Sequence, residues 1–119
     1  MAYTTLTDED IQHFYDRGFV KVPGAIDRQF CEEAVAFGFK RLGYDPDDPA
    51  TWEQDMIHMP IYNRWPVKEI APRAWGAICD LVGGEDRIAD PDYPFDDRFI
   101  VNIRWGADTP WQPPSQSSR

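Results

Sequence analysis

Arg98-Phe99-Ile100-Val101-Asn102-Ile103-Arg104-Trp105 is the stretch that decides the fold class of this chain. Phe99, Val101, Ile103 and Trp105 fall on one face of an extended segment. Ile100, Asn102 and Arg104 fall on the other. A side-chain period of two belongs to a β-strand. The odd-numbered face is wholly apolar and belongs against a core, whereas the even-numbered face carries an amide and a guanidinium. A strand of this kind normally sits inside a larger sheet. Upstream, only Phe19-Val20-Lys21-Val22 and Arg87-Ile88 read as further short strands. Either the 98–105 strand pairs with these, or its sheet lies outside the chain.

Working back from that strand, the chain is helical. Thr7 is placed to cap a first helix, with Asp8, Glu9 and Asp10 in its first turn, where the helix dipole favours anions. Thr7 and Asp10 have capping-box spacing, and Leu6 and Ile11 stand as a hydrophobic staple. Ile11, Phe14 and Tyr15 make its apolar face, and Gly18 ends it. Asp27 caps a second helix over Arg28 to Leu42, stopped by Gly43. Its apolar residues cover more than half the circumference, so it needs cover on more than one side. Pro72 opens a third helix, Arg73 to Leu81, ended by Val82-Gly83-Gly84. Trp75, Ile78, Cys79 and Val82 are expected to share its inner face.

Between these elements, Tyr44 to Pro49 reads as a Pro/Asp loop. Thr51 is placed to cap a helical turn over Trp52 to Asp55, and Met56 to Trp65 reads ambiguously. Gly106 to Arg119 has no periodicity and reads as a Pro/Ser-rich tail, so residues 1–105 form the domain and 106–119 its extension.

The chain of 119 residues suits one small domain. Twelve basic against 21 acidic residues leave a net charge of −9. That sign argues against nucleic acid and anionic membranes as partners, since both are polyanions. The two cysteines, Cys31 and Cys79, read as reduced, partly buried thiols rather than a disulfide. Neither a signal peptide nor a run near the roughly 20 apolar residues of a membrane span is visible, so a cytoplasmic protein is expected.

The order of elements resembles the start of the phytanoyl-CoA dioxygenase family. Leu6-Thr7-Asp8-Glu9-Asp10-Ile11 through Phe14, followed by Asp16-Arg17-Gly18-Phe19-Val20-Lys21-Val22-Pro23-Gly24-Ala25-Ile26, resembles that family's opening helix and first strand. Ala71-Pro72-Arg73-Ala74-Trp75 and Asp80-Leu81-Val82-Gly83-Gly84 resemble its helix before the barrel. Phe99-Ile100-Val101-Asn102-Ile103-Arg104 resembles the strand leading into it. The resemblance implies an α+β fold in which helices and first strands flank a double-stranded β-helix (jelly-roll) barrel. Most of that barrel would be missing from this chain.

The resemblance also implies Fe(II) and 2-oxoglutarate as cofactors, with the iron held by a His-x-Asp pair and a distant second His. Those ligands are absent. His13 begins His-x-x-Asp on a helix, and His58 is followed by Met59-Pro60. The chain therefore reads as the N-terminal part of a small-molecule C–H hydroxylase, an incomplete or split reading frame that is inactive as it stands. A third possibility is a halogenase, with a small residue in place of the carboxylate, which nothing in the chain excludes. The alternative is a non-catalytic acidic interaction module derived from the same family. In either case helix two and the 98–105 strand expose apolar surface without a barrel, and dimers or aggregates, or a partly ordered monomer, are expected.

The candidate site residues are Asn102 and Arg104, on the polar face of the barrel-like strand, and His58 from the segment before it. Each is a candidate contact for 2-oxoglutarate or substrate, a guanidinium being suited to a carboxylate. Asn63, Arg64 and Trp65 are weaker candidates for a substrate pocket. His13 with Asp16 reads as a helix surface pair. The acidic run Asp45 to Asp48 lacks calcium-loop spacing, and the five tryptophans read as packing residues.

Overall fold

Thr7 caps α1 (Asp8–Arg17) as its neighbours predict. Its side chain accepts from the Asp10 amide while the Asp10 carboxylate accepts from the Thr7 amide. In this computed structural model residues 2–103, 108, 110, 111 and 113 are described. Gly18 ends α1 at φ 81°, a left-handed conformation that glycine adopts without steric penalty. The staple pair forms as well, since Leu6 and Ile11 are both buried and cluster with Ala77. Tyr15, expected on the apolar face, is 76% exposed.

Asp27 caps α2 (Arg28–Leu42), and Gly43 closes it. A 3-10 turn follows at Pro49–Thr51, capped by Asp48. The helical turn expected over Trp52 to Asp55 is absent, because the Asp48 carboxylate reaches the Ala50 amide first. Two short strands come next, β1 (Met56–His58) and β2 (Arg64–Pro66), then one helical turn, α3 (Val67–Ile70), and α4 (Pro72–Val82). The segment at Arg87-Ile88 is not a strand: Glu85–Arg87 forms a second 3-10 turn. β3 (Pro94–Asp96) and β4 (Ile100–Asn102) complete the described elements.

Among the described residues the predicted 98–105 strand is regular over Ile100–Asn102, and its Arg104 and Trp105 lie outside them. Its partner is not Phe19–Val22 but β1, antiparallel, with Met56 opposite Asn102 and His58 opposite Ile100. β2 pairs with β3 in the same sense, Trp65 opposite Phe95. Phe19 to Val22 forms no strand, because Val20 and Val22 pack instead on the Leu6–Ile11–Ala77 cluster.

The two small sheets are two halves of one interrupted ribbon. Residues 59 to 63 on one side face residues 97 to 99 on the other, five against three, so the ladder must break there. Backbone bonds continue it outward from both halves, from Ile103 N to Asp55 O at 2.9 Å and from Val67 N to Tyr93 O at 3.1 Å. The architecture is a small mixed helix-and-sheet domain. Among the described residues the sheets are two-stranded and close no barrel.

Two apolar clusters hold the chain. The first joins α1 and α4: Leu6, Ile11 and Ala77, with Tyr3, Val20, Val22 and Leu81 packed on them. Here the N-terminal segment lies over α4. The Asp80 carboxylate accepts from the amides of Thr4, Thr5 and Leu6 at 2.8–2.9 Å. α4 turns inward a face other than the one its sequence suggests. Trp75 and Ala77 are buried, whereas Ile78 and Val82 are more than 40% exposed. In the second cluster α2 crosses the ribbon. Phe30 meets Trp65 with ring centroids 5.0 Å apart, and Phe37 meets Tyr62 at 5.1 Å. A Cβ on the buried Gly38 would lie 3.2 Å from the Phe99 ring, so glycine lets that ring lie on the helix. The radius of gyration is 18.0 Å. A compact chain of this length would have about 13.5 Å.

Candidate functional site

The cleft between α2 and β4 is the best-formed concavity that includes a predicted site residue. Strand alternation builds one wall: Phe99, Val101 and Ile103 are half-buried while Ile100 and Asn102 face outward. Val35, Phe39 and Leu42, spaced at helical intervals, build the other. Tyr44 and Trp52 close one end. The Trp52 indole donates to the Asp45 carbonyl at 2.9 Å, and the Tyr44 hydroxyl accepts from the Gln54 amide at 3.1 Å. The cavity volume is about 360 Å³. No carboxylate, imidazole, thiol or amine is among its lining residues, and Asn102 borders it from the outward side of β4. Such a surface can hold an apolar group. Among its lining residues only the Tyr44 phenol could exchange a proton.

Of the three predicted site residues, two come together. In an antiparallel ladder opposite residues share a face, so Met56, His58, Ile100 and Asn102 lie on the outer face of β1–β4. His58 stands opposite Ile100 and is a diagonal neighbour of Asn102, roughly 7–8 Å away. Both are exposed. Arg104 lies outside the described residues. Asn63 and Trp65 face α2 rather than this surface, and Arg64 is exposed opposite Asp96.

The described residues do not fit an iron centre. No group of three or more His, Cys, Asp or Glu among them could hold a metal ion. His13 does not pair with Asp16. Its ring stands edge-on to Phe19 at 4.9 Å, while the Asp16 carboxylate accepts from Gln12. In the acidic loop, the Asp45 and Asp48 carboxylates accept from the backbone amides of Asp47 and Ala50, which makes them turn formers. Both cysteines are free thiols, as expected, but Cys31 is exposed rather than partly buried.

What positions the cleft is a buried ion pair that local sequence does not signal. Asp97, 2% exposed, sits in the gap of the ribbon. Its carboxylate accepts from the Tyr62 amide at 2.7 Å, the Asn63 amide at 2.9 Å and the Asn63 side chain at 3.0 Å. Arg41 reaches it from α2 at 3.4 Å and also donates to the Asp97 and Pro60 carbonyls. The guanidinium lies 5.7 Å from the centroids of both Phe37 and Tyr62. Burial alone pushes the Asp97 carboxyl up. The amide donors and Arg41 outweigh it and hold the group below the ordinary range. Asp80 shows the same balance, with burial opposed by the Thr4, Leu6 and Thr5 amides and a net shift downward. Arg41 therefore fixes α2 over the ribbon gap and sets the spacing of the cleft walls.

No helix among the described residues is long and apolar enough to cross a membrane. Compared with known proteins, the chain finds no match among protein-family models, curated proteins or solved structures.

Proposed function

We propose that this chain is the helix-bearing N-terminal portion of an iron(II)- and 2-oxoglutarate-dependent oxygenase of the phytanoyl-CoA dioxygenase type. The observation that supports this reading is strand β4. Its inner side chains Phe99, Val101 and Ile103 lie under α2, while Asn102 stands on the outer face with His58. A strand covered by a helix on one side and carrying an amide, with an imidazole across the ladder, on the other fits a barrel-lining position. In the complete enzyme, iron and 2-oxoglutarate would supply oxidation of a small-molecule C–H bond. The described residues lack donors for that iron, and no step of the chemistry is assigned to them. Their part is to hold the sheet and to offer His58 and Asn102 as contacts for 2-oxoglutarate or substrate.

The test is the reading frame in its natural source. The expected result is a His-x-Asp shortly after Arg119, and a native protein that forms succinate from 2-oxoglutarate when given iron(II). The 119-residue chain alone should form none. A stop codon directly after Arg119, with a native species of 13.8 kDa, overturns the reading. A second reading, a non-catalytic interaction module, is favoured by the outward Met56 and Ile100, 39% and 69% exposed, on the same face of the ladder. That reading expects the stop codon, and dimers by sedimentation.

A further inference from the structure

A second cavity, about 340 Å³, opens between α2 and the β2 half of the ribbon. Phe30 and Phe37 lie two turns apart on α2, about 10 Å along its axis. Ala34 stands between them, and its single methyl leaves a notch. Trp65 closes the notch from β2, its ring at 81° to that of Phe30. Two carboxylates also line it: Glu33 on its exposed side and Asp97 at its buried side. Three aromatic rings and the exposed Glu33, whose carboxylate also accepts from the Gln29 side chain at 3.0 Å, suit a cation sheathed in alkyl groups, while the Asp97 charge is met by Arg41. Such an ion has a weak hydration shell to lose and is attracted by ring faces. A metal ion would need oxygen donors in a set that the described residues do not form.

The charges around the notch agree. Arg41 is the neighbouring cation, and Asp97 pairs with it at 3.4 Å. Glu33 then leaves the surroundings negative, in a chain whose net charge is −9. We propose that this notch binds the quaternary ammonium group of a small organic cation. The proposal does not depend on the oxygenase reading and stands if that reading fails.

The experiment titrates choline, and separately its neutral isostere 3,3-dimethylbutan-1-ol, into the full chain at constant ionic strength. It follows the Trp65 indole N–H by NMR, assigned with Trp65→Phe. The expected result is a saturable shift with choline, with the alcohol binding about tenfold more weakly. Ala34→Phe, which fills the notch, should abolish the shift. Should that variant fail to fold, Glu33→Gln at an exposed position should weaken choline about threefold and leave the alcohol unchanged. Absence of a saturable shift, equal affinity for the two probes, or choline binding untouched by Glu33→Gln overturns the proposal.

Discussion

Replacing Asp97 by Asn keeps the shape of the side chain and removes its charge, which makes it the most informative single change. One carboxylate oxygen accepts from the Tyr62 and Asn63 amides, and an Asn carbonyl can keep both bonds. The other oxygen accepts from the Asn63 side chain and faces Arg41. An Asn NH₂ there sets a donor against two donors. Breaking one side of a buried pair costs about 3–5 kcal/mol. Arg41 retains the Asp97 and Pro60 carbonyls as acceptors, so the lower end, about 3 kcal/mol, is expected. With a urea m-value of about 1.5 kcal/mol/M, the midpoint should fall by about 2 M. Combining Asp97→Asn with Arg41→Met removes both charges. The double variant should lose less than the sum of the singles, by about 1–2 kcal/mol. The pH dependence follows from the lowered carboxyl. A group depressed on folding stabilises fully above its unfolded value, 3.8, and that contribution is lost as pH falls through the still lower folded value. The gap between Asp97→Asn and the parent should therefore be constant near neutrality and narrow only below pH 3.8. A loss under about 1 kcal/mol at neutral pH, or strict additivity of the two substitutions, would refute the clamp.

Two further outcomes test the other anchor. Asp80→Ala strips the acceptor from the amides of Thr4, Thr5 and Leu6, so amide exchange at Thr5 and Leu6 should accelerate and stability fall by about 2 kcal/mol. Unchanged exchange at those residues would show that the N-terminal segment is held by its apolar contacts alone. Gly76→Ala places a Cβ 2.1 Å from the Thr5 hydroxyl oxygen, which forces Thr5 to move. Thermal unfolding should show a net loss of about 1 kcal/mol despite the better helix propensity of Ala, and a gain would mean that Thr5 turns aside freely.

Legibility varied with the range of the interactions. The caps at Thr7 and Asp27 and the stops at Gly18, Gly43 and Gly83 are contacts within a few residues, and all five stand where the sequence puts them. Phe19–Val22 has the composition of a strand but no backbone partner, and its valines serve a helical core instead. Met56–Trp65 shows no alternation and contains Pro60, yet two pieces of it are strands because 94–102 lies alongside. On the candidate face, Asn102 is exposed as its position in the alternation requires. Its meeting with His58 needed the register of the ribbon. The proposed notch is still less local, since it joins Phe30 and Phe37 to Trp65 and Asp97.

By itself, the sequence determined three helices with their glycine stops, two of them N-capped, the inward Phe99, Val101 and Ile103, and the absence of a His-x-Asp or His-x-Glu pair. Each is a matter of spacing over a few residues. Tertiary structure alone decided which segment pairs with β4, where the ribbon breaks, and that Arg41 and Asp97 meet across 56 positions to hold α2 above it. A buried acid chooses its partner by the desolvation it must offset and the donors that surround it. That choice exists only once distant segments have been brought together.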